Sequence, residues 1–149
     1  MTCGSVCSPG RYATFSKTTP TTLSPGVYYL DSGISLSGTA ALTCPSCTGG
    51  AGVLLYIAGG SASFTGQSTI NLPAASSGTF KDIVMFQARS ITAPVKFAGN
   101  AGASIPVVLN GIVYVPTSTL VTLATGNATF SAKAIVAQQI KVASPVTIG

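Results

Sequence analysis

The sequence predicts an all-β fold wound as a short β-solenoid, a parallel β-helix-like domain of about five coils. Three observations carry this: a short apolar block recurs five times, no segment sustains a helical apolar period, and 17 glycines with 9 prolines punctuate the chain at intervals. The blocks are Gly26-Val27-Tyr28-Tyr29-Leu30, Gly52-Val53-Leu54-Leu55-Tyr56-Ile57, Asp82-Ile83-Val84-Met85-Phe86-Gln87, Gly111-Ile112-Val113-Tyr114-Val115-Pro116 and Ala134-Ile135-Val136-Ala137-Gln138. Their starts at 26, 52, 82, 111 and 134 lie 26, 30, 29 and 23 residues apart, a spacing that marks stacked repeats. The alternative is a β-sandwich, which also offers many short strands but needs no recurring block.

In chain order, residues 1–25 read as an extended Thr/Ser/Pro-rich arm. Pro9, Pro20 and Pro25 and the run Thr18-Thr19-Pro20-Thr21-Thr22 disfavour helix and leave polyproline or edge-strand conformations. Residues 26–149 read as the solenoid domain. After each block comes a more polar segment: Gly33-Ile34-Ser35-Leu36-Ser37-Gly38, Ser61-Ala62-Ser63-Phe64-Thr65-Gly66, Pro94-Val95-Lys96-Phe97-Ala98-Gly99, Leu120-Val121-Thr122-Leu123-Ala124 and Ile140-Lys141-Val142. These alternate apolar with small or polar residues, so one face is buried and the other wet. A third set is Ser68-Thr69-Ile70-Asn71-Leu72, Ile105-Pro106-Val107-Val108-Leu109, Ala128-Thr129-Phe130-Ser131 and Val146-Thr147-Ile148. One coil cannot bury its apolar face alone; stacked coils share a narrow core, and about five buried side chains per coil contribute on the order of 10 kcal/mol before chain entropy is subtracted.

Composition narrows function by what it lacks. Only 6% of the 149 residues are charged, against about 25% in an ordinary soluble domain. Ser (18) and Thr (19) take the place of charges. There is no His, no Glu and no Trp, and the only acids are Asp31 and Asp82, which lie in different repeats. A general acid–base pair, a Ser-His-Asp relay or a His-rich metal site cannot be assembled from this inventory within one chain, so the expectation is no enzyme, no metal and no cofactor. Net charge is +5, but Arg11, Lys17, Lys81, Arg89, Lys96, Lys133 and Lys141 are scattered rather than arrayed in a stripe, so no nucleic-acid partner is expected. The longest strongly apolar block, from Val53 to Ala58, is far short of the roughly 18 residues of a membrane helix, and no membrane insertion is expected. The first residues carry neither a basic nor an apolar signal region, which reads as a mature or trimmed chain, or as one never secreted.

Cys3, Cys7, Cys44 and Cys47 form two close pairs in a charge-poor, hydroxyl-rich chain, which reads as disulfides in an oxidising compartment. Spacing leaves both local pairing and cross-pairing open. A zinc site built from all four cysteines is the rival; a redox-active C-x-x-C at Cys44 lacks the helix or βαβ pattern that would support it.

The order of the blocks, from Pro25-Gly26-Val27-Tyr28-Tyr29-Leu30 to Ala134-Ile135-Val136-Ala137-Gln138-Gln139-Ile140, resembles the C-terminal β-solenoid-like region of bacterial tight-adherence (TadG-like) pilus-associated proteins over roughly residues 22–148. That resemblance implies an envelope or surface location and a role in assembly. The membrane helix and long preceding region of that family are not in this sequence, which points to a stand-alone secreted subunit.

The expected function is therefore a non-enzymatic extracellular or cell-surface building block, a homo-oligomer or filament formed by head-to-tail contacts and exchange of the N-terminal arm. Tyr12, Phe15 and Leu23 are the arm's candidate anchors, pairing as an added strand on a neighbouring subunit. Covalent glycans are the other expected partners: Asn127 in the sequon Asn127-Ala128-Thr129, and Thr18, Thr19, Thr21 and Thr22 in the Pro/Thr run. The alternative is a monomeric envelope or adhesion module binding glycan, or ice, on a flat β-face.

Overall fold

The computed structural model describes residues 1–98, 106–118, 121–123, 129–142 and 147–148. Among them every regular element is a strand, and every strand pair is parallel. The strands form three rows. The first contains β1 (Val6–Cys7), β4 (Thr21–Leu23), β7 (Ala41–Thr43), β10 (Thr69–Pro73), the first half of β13 (Pro106–Val115), the start of β15 (Thr129–Ala137) and β17 (Thr147–Ile148). The second contains β2 (Gly10–Tyr12), β5 (Gly26–Leu30), β8 (Val53–Ile57), β11 (Ile83–Gln87) and the second halves of β13 and β15. The third contains β3 (Phe15–Lys17), β6 (Gly33–Leu36), β9 (Ser61–Phe64), β12 (Val95–Phe97), β14 (Val121–Leu123) and β16 (Ile140–Val142).

The chain visits the rows in order and then returns to the first, as in a β-helix. Hydrogen bonds therefore run between successive turns, and side chains at one register position stack into columns. The antiparallel pairing of a β-sandwich does not occur among these strands. All five recurrent blocks fall in the second row, where Tyr28, Leu55, Met85, Val113 and Ile135 share one register. The polar segments make the third row and the third set falls in the first. β13 and β15 run through the corner between the first two rows and join them into one sheet, with a register shift between Leu109 and Ile112.

Alternate positions of each strand point inward and fill the core. Leu30, Leu36, Leu42, Leu55, Ile57, Leu72, Met85 and Leu109 have no exposed surface. Phe64 and Phe97 stack inside with centroids 4.7 Å apart, and Phe130 meets Phe97 edge-on.

The N-terminal arm is corrected by the structure. Residues 6–23 are strands β1–β4 of the same sheets, paired in register with β5, β6 and β7. Tyr12, Phe15 and Leu23 are 1%, 3% and 0% exposed, packed in the core of their own chain rather than displayed as anchors. Composition pointed to a linker because these strands are only two or three residues long and separated by turns, too short for period-2 alternation to register. What fixes them is long-range: Tyr12 stacks on Tyr28 at 5.9 Å and meets Phe15 edge-on at 5.4 Å. The boundary expected at residue 25 therefore falls inside the packed structure. Thr21 is buried and unavailable as a glycan acceptor, whereas Thr18 and Thr19 lie exposed in the turn before β4. Asn127 lies outside the described residues.

The cysteines pair locally, Cys3 with Cys7 and Cys44 with Cys47. The first bridge ties residues 1–5 against the first turn, where Lys17 Nζ donates to the carbonyls of Cys3 and Gly4. Such pairs belong to an oxidising environment. No helix is long and apolar enough to cross a membrane among the described residues.

Tyr28 supplies a pH-sensitive part of the core. Its hydroxyl shares its one proton between the carbonyls of Cys7 (2.8 Å) and Ser24 (2.9 Å), and burial pushes its pKa up to about 12. An unfolded tyrosine titrates near 10, so between about pH 10 and 12 the folded chain holds a proton that the unfolded chain releases. Stability from this group is complete below about pH 10 and is lost as pH rises toward 12. Urea unfolding measured from pH 7 to 11.5 should show this decline, and Tyr28→Phe should reduce it, the buried Tyr12 whose pKa is also raised keeping the remainder, while lowering stability at pH 7 by about 1–2 kcal/mol through the two bereft carbonyls.

Candidate functional site

On the second row the outward positions carry rings. Arg11, Tyr29, Tyr56, Phe86, Tyr114 and Val136 share one register and form a single column up the sheet. Tyr29 and Tyr56 have centroids 5.2 Å apart at a 47° tilt; Tyr56 and Phe86 stack at 5.1 Å and 17°, and Phe86 and Tyr114 at 5.1 Å and 21°. The spacing follows from the strand separation of about 4.8 Å, which holds rings in identical rotamers at stacking distance. The ladder is more than internal packing, because its outer edge meets solvent: Tyr29 and Val136 are each 41% exposed.

A second outward column, Val27 and Leu54, runs beside the first, in register across β5 and β8. The segment leading into β11 folds over it and brings Phe80 edge-on to both Tyr56 (6.3 Å) and Phe86 (6.0 Å). Between this segment and the sheet lies an apolar groove of about 300 Å³ lined by Val27, Leu54, Phe80 and Ile83 with the backbone of Gly26 and Gly52.

Charge frames the ladder. Arg11 Nε donates to Asp31 (2.9 Å) at its N-terminal end. Arg89 Nη2 donates to the Tyr114 hydroxyl (2.9 Å) toward the other end. Asp82, a non-glycine residue with positive φ (63°), pairs with Lys133 at 3.1 Å. Each acid thus has its own cation and sits in a separate ion pair, which is not the arrangement of two carboxylates working on one bond.

The other two faces are chemically different. The outward register of the third row carries Ser16, Ser35, Ser63, Lys96 and Lys141. The first row presents Thr22, Thr43, Asn71, Val108 and Ser131, with a cleft of about 320 Å³ where Thr43, Asn71 and Asn110 face Cys44, Pro45 and Pro73.

Of the residues singled out from sequence, the structure brings Cys3 to Cys7 and Cys44 to Cys47, and buries Tyr12, Phe15 and Leu23 together near the N-terminal end. The ladder itself was not anticipated. Its signal was present, since four of the five blocks carry Tyr or Phe one or two places before their end, at Tyr29, Tyr56, Phe86 and Tyr114. Phe80 and Arg89 reach the ladder from loops and had no local signal. No family model, curated protein or solved structure matches the chain.

Proposed function

We propose that the chain is a non-enzymatic extracellular structural protein, a β-solenoid whose N-terminal residues add a further coil to the five expected from the recurrent blocks, and that it self-associates as a subunit of a surface assembly. The observation that carries this reading is the aromatic ladder flanked by Arg11 and Arg89: a flat, rigid face of Tyr, Phe and Arg is the composition of association surfaces, and those residue types dominate binding energy there. Two oxidised cysteine pairs, a charge-poor hydroxyl-rich surface and a block order resembling tight-adherence pilus proteins support an extracellular or cell-surface location. Exchange of an N-terminal arm forms no part of this reading, since its anchors are core residues and the first turn is stapled by Cys3–Cys7. Association is lateral, through the second face.

Light scattering over a dilution series tests it. The mean mass is expected to rise with concentration, and Tyr56→Asp, which places a charge in the middle of the ladder without touching the core, is expected to hold the protein at monomer mass. A wild-type chain that stays monomeric at millimolar concentration contradicts the reading.

A glycan-binding module is the second reading, favoured by the cleft that Thr43, Asn71 and Asn110 line together with Pro45 and Pro73, which combines hydroxyl and amide groups with apolar rings. The ladder does not favour it. Stacking on a sugar needs an open ring face, and the faces of Phe86 and its two neighbours are turned onto one another.

A further inference from the structure

We infer that the partner of the aromatic face is a second copy of this chain, packed antiparallel about a two-fold axis that runs along the strands and passes between Tyr56 and Phe86. This rests on the reading of the face as an association surface and specifies what it meets. The four rings are matched in size about that point, Tyr56 with Phe86 and Tyr29 with Tyr114, and an acid, Asp31, lies level with one outer ring while a cation, Arg89, lies level with the other. Rotation about such an axis keeps strand direction and reverses the order of turns, so Tyr56 of one copy lies over Phe86 of the other and Tyr29 over Tyr114. Phe80, which touches both central rings, comes to the axis and faces its own copy. Arg11 at one end is brought over Val136 at the other, where its aliphatic stem covers an exposed apolar side chain.

Charge fixes the register. Asp31 follows β5 at the level of Tyr29, and its carboxylate is held by a single cation, Arg11. Arg89 follows β11 at the same corner of the sheet and reaches to the level of Tyr114, held by a neutral hydroxyl rather than an acid. The two-fold places the guanidinium of Arg89 from each copy beside Asp31 of the other, giving two equivalent cross pairs. A parallel pairing sets Arg11 over Arg11, and a shift by one turn in either direction takes Arg89 away from Asp31, so neither forms the two cross pairs. An isologous contact requires this kind of self-complementarity.

The area is modest. Six rungs at about 4.8 Å by five residues at about 3.3 Å give at most roughly 500 Å² per partner, made of the ladder's outer edge and the Phe80 segment that covers Val27 and Leu54, at the lower limit for a specific interface. The pair is accordingly weak and concentration-dependent, suited to a unit that is completed by repetition or by high local concentration at a surface.

Sedimentation velocity with charge-exchanged variants tests the register. Asp31→Arg alone sets arginine against arginine, and Arg89→Asp alone sets aspartate against aspartate, so each is expected to weaken the pair at least tenfold. Mixed in equal amounts the two variants have complementary faces and are expected to associate with each other as tightly as wild type, as is the double variant with itself. All these positions are on the surface, and circular dichroism melts confirm that each variant is folded. If wild type associates but the single variants do so equally well, or their mixture fails to recover, the antiparallel register is wrong while the association surface stands. If wild type never exceeds monomer mass, both are wrong.

Discussion

Gly33→Ala is expected to destabilise the protein by about 3 kcal/mol or more, lowering the melting temperature by roughly 10 °C in circular dichroism. Gly33 opens β6 at φ +82°, a conformation costing a side chain about 1–2 kcal/mol. The larger effect is steric. A Cβ there would lie 2.0 Å from the Ser61 carbonyl oxygen and 2.8 Å from its nitrogen, both backbone atoms of the adjacent turn, so β6 and β9 would have to part. Gly78→Ala separates the two contributions, because φ there is +90° but a Cβ meets nothing within 4 Å. It is expected to cost about 1 kcal/mol. Equal losses for the two variants would mean that the turns are not packed as tightly as described.

Phe97→Ala is expected to cost about 3–5 kcal/mol, read as a fall in the urea midpoint with an unchanged slope. Phe97 is 2% exposed, lies face to face with Phe64 at 4.7 Å and 6°, and receives Phe130 at 5.0 Å. Its removal strips contacts from three successive turns at once, and β-strand backbones held on both sides by ladder hydrogen bonds cannot collapse into the space. Tyr29→Ala removes a ring of similar size from the outward column and is expected to cost less than about 1 kcal/mol, since much of that ring is already in water. The contrast between the two rings tests that Phe97 lies on the core side of its sheet and Tyr29 on the outer side of its own.

The recurring block and its two companion segments were legible in the sequence because each is long enough to show alternation. Val53 to Ile57 and Ile83 to Gln87 have the length and β-branched content of buried strands, and their repetition at similar intervals is the mark of stacking. The first turns were not legible. Val6–Cys7, Gly10–Tyr12 and Phe15–Lys17 are too short for any periodicity, and prolines and threonines at their corners have the composition of a linker. Their strand character comes from the next turn, through pairs such as Phe15 with Ile34 and Tyr12 with Leu30. The disulfide partners were half legible: spacing proposed local pairs without choosing them, and the turn at Cys44-Pro45-Ser46-Cys47, closed by a Cys47 N–H to Cys44 carbonyl bond of 3.1 Å, decides one of them. The ladder was hidden for a geometric reason. Whether Tyr29, Tyr56, Phe86 and Tyr114 share a column depends on register, and loops of unequal length between the blocks obscure it until the strands are aligned.

Hydroxyl-radical footprinting at two protein concentrations, read by mass spectrometry, tests most directly whether the second face is where this protein associates. Tyr29, Tyr56 and Tyr114 should oxidise more slowly at high concentration, while Met1, 67% exposed at the N-terminal end, keeps its rate and Met85, fully buried, stays unmodified at both. Tyrosine rates that do not change with concentration, or protection that appears at Met1 instead, would contradict the account.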